Sequence, residues 1–187
     1  MCGKSLDSRG ALNQVRGFSL VELLITVAII LVIASIAVPH LLTAKMAANQ
    51  SAAVSTLRTI SSAEQTFSST YSDGFTLTIA QLGGPVAAVA GCANARLIDE
   101  VLSANPSQRS GYQFQYTANG VAALTSAIPA SCGASGDTGF SASATPVTVG
   151  LTGTASYCID ETGAIRVNTV GAPIPAPCST SGFPPMQ

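Results

Sequence analysis

Charge is the first thing this chain lacks. Of its 187 residues only 9% are Asp, Glu, Lys or Arg, against about 25% in an ordinary soluble domain. The eight basic residues are scattered, and no Lys/Arg cluster exists that could track a phosphate backbone, so no specific nucleic-acid partner is expected. Tryptophan is absent, aromatics make up 5% of the chain, and His40 is the single histidine. A catalytic triad or a His-based metal site therefore has too few parts. His40 reads better as a polar residue at a membrane exit, and Phe18, Phe67 and Tyr71 read better as packing residues than as an electron path. No enzyme activity, cofactor or metal is expected.

What the chain has instead is one long apolar run. The stretch RGFSLVELLITVAIILVIASIAVPHLL, Arg16 to Leu42, carries a single acid, Glu22, and from Leu23 to Ala44 no residue bears a formal charge if His40 is neutral. As a helix, Phe18 to Leu42 would reach about 37 Å at 1.5 Å per residue, enough to span a bilayer. The Leu, Ile, Val and Ala residues lie all round rather than in a stripe, as a lipid-embedded helix requires. Lys4, Arg9 and Arg16 precede the run and only Lys45 follows closely, which places the N-terminus in the cytoplasm. A carboxylate in such a segment costs about 2.5–3.5 kcal/mol at mid-bilayer, less near the interface, and demands a partner.

Three readings compete. An ordinary secretory signal could be cut at Ser35-Ile36-Ala37, a passable small-x-small site. A plain membrane anchor leaves Glu22 unexplained. Cleavage between Gly17 and Phe18 would keep the whole helix with Phe18 as its new N-terminus, and only this reading gives Glu22 a partner. The residues RGFSLVELLITVAIILVIASIAVP resemble the N-terminal signature of type IV pilins and pseudopilins. They have a basic residue and Gly before the scissile bond, Phe after it, Glu at the fifth mature position and Pro closing the run. The 17-residue leader is longer than the shortest in that family, and Leu31 stands where many such pilins have glycine.

The resemblance implies a membrane peptidase that cuts after Gly17 and methylates the Phe18 amine. Gly17 suits this because a residue without a side chain lets extended backbone enter a tight site. It also implies that Glu22 meets a neighbour's N-terminus during assembly, acting as a register device as much as a glue. Pro39, which cannot donate an N–H and crowds the Ser35 carbonyl, should bend the helix. Pseudopilins can bind calcium near their sheet, which here would draw on Asp137, Asp160 or Glu161, but no EF-hand spacing is present.

Beyond Pro39 the apolar positions thin into one face, Met46, Ala53, Leu57, Ile60, Ala63, Phe67 and Tyr71, and predict an amphipathic helix. From Ser72 the chain becomes loop-like, then ANARLIDEVLSANP (93–106) reads as a short helix ended by Pro106. YQFQYTA and VAALTSAI, joined across Asn119-Gly120, and ASYCID and AIRVNTV, joined across Glu161-Thr162-Gly163, predict two hairpins. PASCGASGDTGFSASATP between them reads as a loop, and the tail from Pro173 as irregular. The paired acids Asp99-Glu100 and Asp160-Glu161 read as solvated surface.

Without the first 17 residues the chain holds four cysteines, Cys92, Cys132, Cys158 and Cys178. An even count in loop-rich sequence behind an export-type segment argues for two disulfides and an oxidising compartment. Cys158–Cys178 would tie the last hairpin to the tail and Cys92–Cys132 the connecting loop to the sheet; two other connectivities remain open.

The expected architecture is α+β, a long N-terminal helix on an antiparallel sheet of about four strands. Its parts are a leader (1–17), a hydrophobic transmembrane and assembly helix (18–42), an amphipathic helix (43–72) and a globular head (73–187). The function so implied is that of a structural subunit of a type IV pilus-like extracellular filament, serving adhesion, motility or related surface tasks. The subunit would sit in the inner membrane with its N-terminus cytoplasmic, then polymerise with itself into an extracellular fibre. Its partners would be the prepilin peptidase/methyltransferase, the inner-membrane assembly machinery and, before assembly, the lipid bilayer. The alternatives are the major pseudopilin of a type II secretion system and, from another class, a secreted disulfide-stabilised binding domain released after Ala37.

Overall fold

In the computed structural model residues 18–71, 74–85, 89–120 and 136–186 are described. The chain divides into two units, Met1–His40 and Leu41–Gln187, and helix α1, Leu20–Tyr71, contributes to both.

In the first unit the apolar side chains of α1 are exposed along their whole length, Leu20 at 78% and Ile36 at 63%. Its few hydroxyls are satisfied internally: Thr26 Oγ1 donates to the Leu23 carbonyl (2.8 Å) and Ser35 Oγ to that of Val32 (2.7 Å). The helix therefore presents almost no unsatisfied polar group to its surroundings, which a lipid environment requires. It is long and apolar enough to cross a membrane. Pro39 lies inside α1, and the helix is not interrupted there; losing one backbone donor bends a helix more readily than it ends one.

In the second unit α1 is amphipathic. Ala53, Leu57, Ile60, Ala63, Glu64 and Phe67 are buried, at spacings that keep one face of a 3.6-residue helix inward. The described strands form one antiparallel sheet in sequential order: β1 (Ser107–Arg109), β2 (Tyr112–Ala118), β3 (Phe140–Pro146), β4 (Ser156–Asp160) and β5 (Ile165–Asn168). Tyr112, Phe114, Tyr116, Phe140, Tyr157 and Ile159 join the helix residues in a single core. Ala142 and Ala144 at mid-sheet share it with the bulky Leu57, Ile60 and Phe67, a pairing of small with large that lets facing layers interdigitate.

The strands β2, β4 and β5 fall within the strand-like runs YQFQYTA, ASYCID and AIRVNTV. The turn between β4 and β5 closes through Gly163 N–H to the Asp160 carbonyl at 2.9 Å, with Gly163 at φ +75°. Two expectations need correction. The stretch read as a loop before Pro146 ends in β3, which pairs with β2 and β4 on either side. Ala and Ser are poor strand formers, and it is the two flanking ladders and the half-buried face that decide. VAALTSAI lies outside the described residues, and the fifth strand is the short edge β1.

The second correction concerns residues 93–106, where no helix forms. The N–H groups of Ala95, Arg96 and Leu97 donate instead to the carbonyls of Gln81, Gly83 and Leu82, so the backbone is used against its neighbour rather than within itself. The short helix lies earlier, in α2 (Ile79–Leu82); Gln81 Oε1 accepts the N–H groups of Leu77 (2.7 Å) and Thr78 (3.1 Å) at its start. The proline-rich tail is mostly irregular, as expected, and is tied to the last hairpin by the expected bridge. It has a 3₁₀ turn, Cys178–Thr180, a disulfide from Cys178 to Cys158 with Cα atoms 5.9 Å apart, and a return along β5. There Met186 N–H reaches the Ile165 carbonyl at 2.7 Å and Val167 N–H that of Pro184 at 3.1 Å. An otherwise bare sheet edge is thereby covered.

Candidate assembly site at the start of the N-terminal helix

Phe18 and Ser19 precede the first turn of α1, and Glu22 is its third residue. Ser19 stands at the N-cap: its carbonyl accepts the Leu23 N–H at 3.2 Å. The Glu22 side chain turns back so that Oε2 accepts the Ser19 N–H at 3.3 Å, half of the reciprocal pattern in which an acid at the third helical position satisfies the cap residue's orphan donor. The helix dipole also favours a negative charge in this turn. The sequence signal was present as Ser19-Leu-Val-Glu22 and went unread beside the question of an intermolecular partner.

Glu22 remains exposed and forms no ion pair; among the described residues that interaction is made by Arg109 and Asp99, at 2.7 Å. Around it lies bare hydrocarbon. Leu20, Leu23, Leu24 and Val27 form one exposed apolar face of the helix, and Ala28, Ile29, Val32 and Ile33 form a second. Phe18 is 74% exposed. The arrangement can do two things chemically: bury its apolar wall against lipid or other helices, and offer one carboxylate to a cation entering that low-dielectric setting.

Of the other residues singled out from sequence, Gly17 and Cys132 lie outside the described residues. Pro39 is inside α1, and His40 is exposed. Cys92 is buried and disulfide-bonded. None of the described cysteines belongs to the site. Asp99 and Glu100 are exposed as expected, but Asp99 is engaged: the Leu102 N–H donates to Oδ1 at 2.9 Å and Arg109 to Oδ2. The Leu102 bond first, then the Arg109 bond and charge, hold its carboxyl below the usual range. Asp160, read as solvated, is fully buried. Its Oδ1 accepts the Thr162 N–H (3.1 Å) and hydroxyl (2.5 Å), fixing the β4–β5 turn; only Glu161 is surface. Among the described residues no group of three acids, histidines or cysteines is placed to hold a metal.

Sequence reasoning also passed over Glu64, which is completely buried. It sits in the apolar stripe between Ile60 and Phe67, and an acid at a core-facing position was the available signal. Burial raises its carboxyl above the ordinary range, opposed in part by hydrogen bonds from Thr76.

Residues 12–38 match the family model described as the prokaryotic N-terminal methylation motif. They carry the class-III signal of type IV pilins and pseudopilins. No curated protein and no solved structure matches the chain.

Proposed function

We propose that this chain is a structural subunit of a type IV pilus-like filament. It is held in the inner membrane by α1, cut between Gly17 and Phe18, methylated on the new amine and polymerised through its N-terminal helices. The observation that carries the proposal is the overlap of the methylation motif, residues 12–38, with a helix whose apolar wall is bare except for Glu22. In a bundle of such helices the hydrocarbon is covered. Glu22 then faces the ammonium of a neighbouring Phe18, and a misaligned copy would strand both charges in a dry environment. The pair thus sets register. The disulfides at Cys92 and Cys158–Cys178 suit a head that folds in an oxidising compartment beyond the inner membrane.

Intact mass and N-terminal analysis of the mature protein test the reading. The expected product begins at methylated Phe18, and Gly17→Val should leave precursor in the membrane. A mature chain beginning at Val38 would mean ordinary signal peptidase and a released domain, and would overturn it.

A further inference from the structure

Three contacts join four oxygen atoms in the core of the second unit. Glu64 Oε1 lies 2.5 Å from Thr76 Oγ1, Thr76 Oγ1 lies 3.0 Å from Tyr116 Oη, and Tyr116 Oη lies 2.8 Å from the Thr76 carbonyl. The second carboxyl oxygen, Oε2, accepts the Thr76 N–H at 3.0 Å. Each contact needs one hydrogen. The Thr76 and Tyr116 hydroxyls supply two, and the terminal carbonyl supplies none.

If Glu64 is ionised, Thr76 donates to Oε1, and the single Tyr116 hydrogen must serve both the Thr76 hydroxyl and the Thr76 carbonyl. If Glu64 is protonated the count closes: the carboxyl donates to Thr76 Oγ1, that hydroxyl to Tyr116, and Tyr116 to the carbonyl. The surroundings point the same way. Glu64 and Thr76 are fully buried and Tyr116 is nearly so. The titratable group facing Glu64 from β2 is Tyr116 itself, with Asp137 acting on that tyrosine from the bridge to Phe75. Among the described residues no cation faces the carboxyl, and on α1 the nearest cation in sequence, Arg58, is exposed. An unpaired carboxylate there would bear its full desolvation cost.

We propose that Glu64 is carried as the neutral acid in the folded protein and acts as a proton-dependent pin joining α1, the Thr76 segment and β2. The pin is closed while the carboxyl holds its proton and loosens when it ionises. A group whose proton is held more tightly in the folded than in the unfolded chain stabilises below its unfolded pKa, and that stabilisation is lost as pH rises through the folded value. The contribution of this pin to the head's stability is therefore present in acid and lost in alkaline surroundings.

The test uses the full chain in detergent micelles. Glu64→Gln mimics the neutral acid, its amide donating to Thr76 Oγ1 and its carbonyl accepting the Thr76 N–H. Infrared difference spectra between wild type and this variant should show a protonated-carboxyl band that persists at pH values where ordinary glutamates are ionised. The melting temperatures of the two forms should agree in acid and diverge with rising pH, wild type falling below the variant. A missing band, or a difference that does not change with pH, overturns the proposal. Tyr116→Phe removes both the acceptor that completes the neutral chain and that hydroxyl's own support of the carboxylate, so the pH at which the band titrates should shift from that of wild type. An unchanged titration would leave burial alone as the cause and overturn the hydrogen-bond pin, and this variant decides alone should Glu64→Gln fail to fold.

Discussion

Glu22 Oε2 accepts a hydrogen bond from the backbone N–H of Ser19 at 3.3 Å, so the acid that interrupts the apolar run already has a weak intrachain task. Cleavage after Gly17 would place the new amino terminus one residue before Ser19. The cap and the proposed intermolecular pair therefore involve the same carboxylate at the same end of the helix.

This overlap makes the two substitutions at Glu22 informative. Glu22→Gln keeps an acceptor for the Ser19 N–H but cannot neutralise an ammonium, whereas Glu22→Ala loses both. Both should be inserted and processed, and both should assemble poorly, because the missing element is charge. The isolated Ala form should sit in the membrane at least as stably as wild type. Filament recovered by sedimentation, compared with membrane-bound subunit, measures this; abundant fibres from the Gln form would show that the cap is what assembly needs.

The Cys158–Cys178 bridge closes a separation of 20 residues. A loop of that length is worth roughly 3 kcal/mol in the chain-entropy model, and here it also holds the tail against β5. The double Cys158→Ser, Cys178→Ser form should melt at lower temperature and lose hydrogen-exchange protection at Val167 and Met186 before the rest of the sheet. Uniform loss of protection would contradict a local role for the tail.

At Asp99 the pH dependence has the opposite sign to that proposed for Glu64. Its pKa is lowered, chiefly by the Leu102 N–H. The stabilisation it brings is therefore present above the unfolded value and lost as pH falls through the folded one. The Asp99 and Arg109 side chains are 47% and 51% exposed, so screening limits the effect to about 0.5–1 kcal/mol. Asp99→Asn should cost that much near neutrality and nothing in strong acid, by denaturant titration. A deficit that grows on acidification would refute the assignment.

Gly153 allows the chain to pass close to Tyr112, where an added Cβ would come 2.1 Å from the hydroxyl oxygen. That hydroxyl donates to the Ala155 carbonyl at 2.8 Å in the core. Gly153→Ala should displace the ring and break the bond, at a cost on the order of 1–3 kcal/mol. Pairing it with Tyr112→Phe should recover part of the loss, since the clashing oxygen is gone. Equal destabilisation with and without that oxygen would locate the strain elsewhere.

The sequence alone determined the parts of this protein that depend on near neighbours in the chain. An apolar run with one acid at a fixed place, a 3.6-residue stripe from Ala53 to Phe67, and the alternation in Tyr112–Ala118 each announce themselves, because hydrophobic periodicity is local. Tertiary structure decided what depends on distant partners. Phe140–Pro146, whose centre is only Ser and Ala, becomes a strand because ladders on both sides claim its backbone. Residues 95–97 forgo a helix because carbonyls at 81–83 accept their N–H groups. Asp160 and Glu64, both acids in sequence, are buried where turn residue Thr162 and the buried Thr76 donate to them. No spacing rule reports such meetings, since a residue's burial and its protonation are set by what the fold brings against it.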